Sequence, residues 1–350
     1  MAILFMEGFD GYEDAAAFRG DGRISLSNNS DSGYEFRTGR NGSGQCLLTQ
    51  STSSEWVVHV GGTSDTVWIQ FALNMTAGTF TSTEEMIWIY DRSGTVTSGI
   101  YVKADGEIEV RQGTGTVVGT SSGAAISTGT WRFYEFKIKL NASTGTVLAK
   151  VDGIEVLNLS GVDTINGGTS VGAVRFHHND DVSTSGDMKW DDVVIGDDVT
   201  GSPGDVQTDL LGDCSIEMLL PDGAGNYTQF TPSTGSNYQN VDEAPTIDDD
   251  TTYNSSSTAG HKDSFTCGNL SATAGSVYAV QVTTVAKRDA GGGRLLRELV
   301  RSSSIDATGA GRYVPADYSH KQSLFEKDPG GSDWTISTVN SMEIGYELET

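Results

Sequence analysis

An all-β protein with an N-terminal jelly-roll sandwich and a second, smaller sandwich is what this sequence predicts. Three observations predict it. The chain has 350 residues, enough for two domains. It holds 44 glycines against 6 prolines, and Ser, Thr, Asn and Asp fill the gaps between short apolar runs, as in many strands joined by turns. The third is the stretch 130–159, where Tyr134, Phe136, Ile138 and Leu140 alternate with Glu135, Lys137 and Lys139. That period of two marks a half-buried antiparallel strand. Asn141 to Gly145 reads as a turn and Thr146 to Val151 as the return strand. Asp152-Gly153 is a tight hairpin turn into Ile154 to Leu159.

The other elements follow the same logic. Ile3 to Met6, Tyr34 to Phe36, Cys46 to Leu48 and Trp56 to Val60 are short apolar strands. Val67 to Met75 alternates strongly. Met86 to Tyr90 is apolar on both faces, which places it centrally in a sheet and Trp88 in the core. Ile100 to Lys103 and Ile108 to Arg111 form a hairpin across Asp105-Gly106. Val171 to His177 and Met188 to Ile195 close the first domain, residues 1–196. The polar stretch GDDVTGSPGD supplies a linker, placed at residues 197–206. In the C-terminal sandwich, residues 207–350, Cys214 to Leu220, Tyr227 to Phe230, Ser264 to Cys267, Ser276 to Val285 and Ser341 to Leu348 read as strands. Arg294 to Arg301 is read as a strand, and Trp334 to Met342 includes a short helical turn.

The formal net charge is −25. Such a chain is repelled by phosphate backbones and anionic lipid, which excludes nucleic acid and membrane surfaces as expected partners. No run approaches the ~20 apolar residues of a membrane span. MAILFMEGFDGY lacks a basic region and a long apolar stretch, so no secretory leader is expected. Cys46, Cys214 and Cys267 are odd in number and far apart, which fits buried thiols.

A resemblance adds to this reading. Gly129-Thr130-Trp131, Val151-Asp152-Gly153, the hairpin Ala104 to Val110 and the closing Trp190 to Asp198 stand in the order found in concanavalin-A-like lectin and glucanase jelly rolls, particularly the laminin-G-like branch. The opening MEGFDGYED and several C-terminal stretches resemble phage and prophage structural proteins that carry such a jelly roll. These stretches are Val241 to Glu243, Asp248 to Tyr253, Asp263 to Phe265, Glu326 to Trp334 and Glu343 to Glu347. The resemblance implies a virion subunit made in the host cytoplasm, with other virion proteins as partners and host surface glycans as contacts. A homo-oligomer, with a trimer as the first guess, is expected from virion symmetry.

Candidate sites are weighed on residue chemistry. Asp191-Asp192 and Asp248 to Asp250 are the calcium candidates. Adjacent strand residues point to opposite faces, so the first pair reads as strand carboxylates and the second as a self-capping turn. Glu107 and Glu109 share a strand face, but Arg111 takes the next position, so the glucanase acid pattern is incomplete. His177-His178 lacks a third metal ligand at a recognisable spacing. No nucleophile elbow or phosphate loop occurs. Trp68 and Trp131 lie on the polar faces of their strands and are the candidates for glycan or interface contact. The expectation is therefore a non-enzymatic virion protein without cofactor or metal, docked through one half and facing outward with the other. The alternative is a glycan-cleaving or soluble carbohydrate-binding protein on the same fold.

Overall fold

The computed structural model describes residues 2–20, 22–26, 33–50, 54–62, 64–75, 79–80, 82–177, 182–183, 187–198, 210–289 and 291–349. The expected linker at 197–206 and His178 therefore fall largely or wholly outside the described residues.

Residues 2–197 form two antiparallel sheets packed face to face. One runs Ile154–Val162, Gly145–Val151, Arg132–Lys139, Thr66–Met75, Met188–Asp197, Gln45–Thr49, Tyr34–Thr38, with Ala2–Glu7 also paired to Met188–Asp197. The other runs Thr116–Thr120, Ile108–Gln112, Val96–Val102, Glu84–Asp91, Val171–Phe176, Trp56–His59, Ile24–Leu26. The expected hairpin over 130–159 is present. Val151 pairs with Ile154 across Asp152 and Gly153, both at positive φ (50° and 76°), the conformation a two-residue hairpin turn requires. Tyr134, Phe136, Ile138 and Leu140 all face the core. The core is aromatic at its centre: Trp56 stacks on Phe176 at 4.1 Å, and Phe71 and Trp190 close around them. Such large apolar side chains dominate the burial energy of the sandwich.

Residues 221–348 form a six-stranded sheet that includes Lys262–Cys267, Glu343–Leu348 and Leu295–Ser302, plus a two-stranded ladder of Val280–Ala286 and Ser319–Phe325. The expected strand over Arg294 to Arg301 is present as Leu295–Ser302, and the short helix Ile336–Asn340 precedes the last strand. Thr335 caps that helix by accepting from the Thr338 amide at 3.1 Å. Cys214 to Leu220, expected as a strand, joins no ladder. It runs across the first half instead, where the Ile216 amide donates to an Asp192 carboxylate oxygen at 2.6 Å. A side-chain acceptor replaces the neighbouring strand.

The two outer faces of the jelly roll differ. The outer face of the eight-stranded sheet is covered: Ile3, Trp68 and Val194 pack with Leu210, Leu211, Ile216, Tyr278 and Leu324. Glu135, on the predicted polar face, is buried there and accepts from Gln70 and from the Gly212 amide, both at 3.1 Å. The outer face of the seven-stranded sheet has no such cover among the described residues.

Candidate functional site

Strand register builds a polar and aromatic patch on that second face. Arg111 pairs with Gly99, Gly99 with Trp88, Trp88 with Arg175, and Arg175 with Val57. Paired residues in neighbouring strands point the same way, so the four side chains form one row across the sheet. In the adjacent row Tyr101 lies between Glu109 and Glu85. His177, two residues after Arg175, extends the patch toward Glu55.

The side chains interlock. The Trp88 indole N–H donates to the Tyr101 hydroxyl at 3.1 Å. Gly99 makes this approach feasible, because a Cβ there would sit 2.6 Å from the Tyr101 ring and 3.4 Å from Trp88. Arg111 lies over the Tyr101 ring at 4.2 Å while its Nε contacts Glu109 at 2.6 Å. Arg175 sits over Trp88 and Tyr90 and pairs with Glu55 at 3.0 Å. The His177 ring meets Trp88 edge-on at 4.4 Å.

His177 Nδ1 lies 3.1 Å from a Glu55 oxygen, which can only accept, so Nδ1 carries the hydrogen. The contact lowers the Glu55 carboxyl, with Arg175 adding to the effect against the opposing pull of burial. Nε2 of His177 is buried and has no hydrogen-bond partner. A carboxylate holding one imidazole nitrogen and leaving the other free is the arrangement of a general base. Burial raises the Tyr101 hydroxyl, with the Trp88 hydrogen bond opposing it. A tyrosine that stays protonated and accepts from an indole keeps its own hydrogen to give.

The expected sites fare differently. Trp68 is fully buried: its ring lies against Gly196, its Nε1 faces the Asp197 carbonyl at 3.4 Å, and the second half covers it. Its polar-face position faced an intramolecular contact, so it is corrected as a candidate for exposed stacking. Trp131 is partly exposed at the edge of Arg132–Lys139, apart from the patch. Trp88, assigned to the core, is a half-exposed centre of the patch. A register shift between Glu85 and Ile87 buries both Met86 and Ile87, and Trp88 then lies on the open face instead of the core expected from the apolar run. Glu107 pairs with Lys103 at 2.5 Å and Glu109 with Arg111, so the two act in separate ion pairs.

Asp191 and Asp192 are both buried beside Arg40, with Asp192 at φ 53° and the strand register shifted between Asp191 and Val194. The bulge defeats the alternation that was expected to separate them. Asp248 accepts from Thr252, and Asp250 pairs with Lys287 at 2.5 Å, a turn that engages its own acids. Among the described residues no group of three His, Cys, Asp or Glu side chains is arranged to hold a metal ion. Tyr101 and Arg175 were not singled out, His177 was weighed only as half of a metal pair, and Arg111 only as a break in an acid pattern. Their signal lay in the cross-strand register around Gly99, which a single strand read alone does not display.

No family model and no curated protein matches the sequence. Solved structures do resemble the fold. A sialidase matches over 56% of this chain at 10% identity and a TM-score of 0.42, and the match spans 18% of that protein. An endo-β-1,4-glucuronan lyase from the fungus Trichoderma reesei matches over 56% at 15% identity and 0.38, spanning 96% of its own chain. A carbohydrate esterase from a Shiga toxin-encoding bacteriophage matches over 55% at 14% identity and 0.38, spanning 97% of its chain. At these values the likeness is one of all-β jelly-roll fold. The expectation of a non-enzymatic chain is nevertheless corrected. It rested on the virion resemblance and on the absence of a complete glucanase acid pattern, a nucleophile elbow and a phosphate loop, whereas the solved structures of similar fold include a lyase and an esterase.

Proposed function

We propose that this chain cleaves glycans on the outer face of the seven-stranded sheet, with His177 as general base and Tyr101 as general acid. The observation that carries the reading is the His177 ring, oriented by Glu55 and left with a free Nε2 beside Trp88, whose indole in turn holds Tyr101. The patch carboxylates favour elimination over hydrolysis as the route. Glu109 and Glu55 are engaged by Arg111 and Arg175, while paired-carboxylate hydrolysis needs two acids free to act on substrate. In elimination the base takes the proton next to a sugar carboxylate. The electron pair forms a carbon–carbon double bond, the glycosidic C–O bond breaks, and the departing oxygen takes the tyrosine proton.

The substrate class is a uronic-acid glycan, since Arg111 and Arg175 are the groups on this face that complement a carboxylate. Arg111 now covers Tyr101. A substrate carboxylate that draws Arg111 from Glu109 uncovers the hydroxyl, and a water or a turn of Trp88 connects substrate to His177. The particle setting belongs to the same proposal. The sequence resemblance to phage structural proteins supports it, with other virion proteins and further copies of the chain as neighbours. Immunogold microscopy of purified particles tests it.

The enzymatic reading is tested by incubating the protein with glucuronan, alginate and a neutral β-glucan. Expected is ultraviolet absorbance from a new double bond with a uronan, abolished in Tyr101→Phe. New reducing ends without that absorbance would replace elimination by hydrolysis. No cleavage of any acidic glycan in such a panel, with folded protein, would overturn the enzymatic reading.

A further inference from the structure

The covered face carries an uneven charge arrangement at the junction of the two halves. Asp191 and Asp192 are adjacent and both buried; Asp192 meets residue 216, and Asp191 lies behind it against Gly39 and Arg40. Asp191 accepts from the Arg40 amide and the Asp192 amide, each at 2.8 Å. Asp192 accepts from the Ile216 amide and lies 3.6 Å from the Arg40 guanidinium. That guanidinium also pairs with Asp213. Asp10, on the opening turn, accepts from the Gln45 amide at 2.5 Å and acts on both buried aspartates, and Glu217 acts on Asp10. Lys189 and Arg37 act on the neighbouring Cys46 thiol, as Asp191 does. Two adjacent carboxylates are thus buried with one guanidinium beside them, which a third, half-exposed acid, Asp213, shares. Holding like charges together in a low-dielectric site is costly, and protonation relieves it.

We propose that the seating of residues 210–218 on the eight-stranded sheet is a proton-controlled latch, closed while Asp191 and Asp192 carry protons and loosened as they ionise. Geometry shows what the latch holds. Ile216 sits directly on Gly8, where any Cβ would lie 2.9 Å from it, and Leu210 and Leu211 cover Trp68. Burial, with the neighbouring charge of Asp192, raises Asp191 to about 8, and burial raises Asp192 to about 6. Both folded values lie above the unfolded carboxylate value. Their contribution to docking is therefore full below about 4 and is lost as pH rises through the folded values. The latch tightens in acid and loosens between about pH 6 and 8.

Thiol labelling of the intact chain reads the latch. Cys214 lies within the seated segment, and burial raises its thiol to about 12. Cys267, in the second half, is raised to about 12 by burial as well. It corrects for the growth of thiolate with pH. Labelling with a neutral disulfide reagent, resolved by mass spectrometry, gives the Cys214 to Cys267 rate ratio. Expected is a ratio that rises severalfold from pH 5.5 to 8.5 in the wild type and stays flat in Asp191→Asn/Asp192→Asn. A flat wild-type ratio overturns the latch, as does an equal rise in the double variant. Should the double variant fold poorly, Asp192→Asn alone is expected to halve the rise or better, and an unchanged rise counts against the proposal.

Discussion

The two outer faces of one sandwich have opposite fates. The eight-stranded sheet presents Trp68, Glu135, Asp191 and Asp192 outward, and all four are buried, with Trp68, Glu135 and Asp192 in contact with residues 210–216. The seven-stranded sheet presents Trp88, Tyr90, Arg111 and Arg175 outward, and these stay at or near solvent. Both faces carry aromatic and charged residues at alternate strand positions, so composition does not separate them. Cover separates them. On the covered face acids are pushed toward protonation by burial; on the open face acids are tied to guanidinium groups and an imidazole. The first arrangement suits an internal contact and the second a ligand.

The comparison is broken most directly at its two tryptophan-lined faces. Trp68→Ala should cost about 3–5 kcal/mol of unfolding free energy, the range for a fully buried large side chain, measured by denaturant titration. If Trp68 instead stacked on sugar, stability would hold and glycan binding would fall. On the open face, His177→Asn should lower glycan cleavage by roughly 10²-fold or more, the usual worth of a general base, and lower kcat rather than raise KM.

A smaller effect sharpens the view of the loops that frame the open face. Asp91 accepts from the Ser93, Thr95 and Gly168 amides at 2.8, 2.9 and 2.8 Å, and from the Ser93 hydroxyl at 2.6 Å. These bonds outweigh the burial that opposes them and lower its carboxyl to about 2. The stabilisation is present above the unfolded value near 4 and is lost as pH falls toward 2. Asp91→Asn should cost about 1–3 kcal/mol at neutral pH, with the gap to wild type closing in acid, followed by thermal melts across pH. Trp131→Ala should change stability and cleavage least, with roughly 0.5 kcal/mol or less, because the side chain is partly exposed and stands outside both networks. A large loss of cleavage in that variant would move the site to the strand edge.

Much of this fold was legible because strands announce themselves locally. The hairpin over 130–159 needed only alternation and Asp152-Gly153, and both survive in the structure. The site was less legible because it is a property of register. Trp88, Tyr101, Arg111 and Arg175 come from four strands, and the shift after Glu85 hides which way Trp88 points. The same cause misplaced Asp191 and Asp192, where a bulge overrides alternation. Trp68 was misread for another reason: its partners lie more than a hundred residues away, in the segment that begins at Leu210.

The seating of Ile216 on Gly8 has a practical side. A fragment ending near residue 200 would lay bare Ile3, Trp68 and Val194 as one greasy strip down the middle of a sheet. It should be sticky, prone to self-association, and a poor stand-in for the whole molecule in solution work. Cutting after residue 220 would leave the strip dressed by Leu210, Leu211 and Ile216. A cut there keeps more of the strip covered than a cut near residue 200, and only the cover from Tyr278, Ala279 and Leu324 is lost with the rest of the chain.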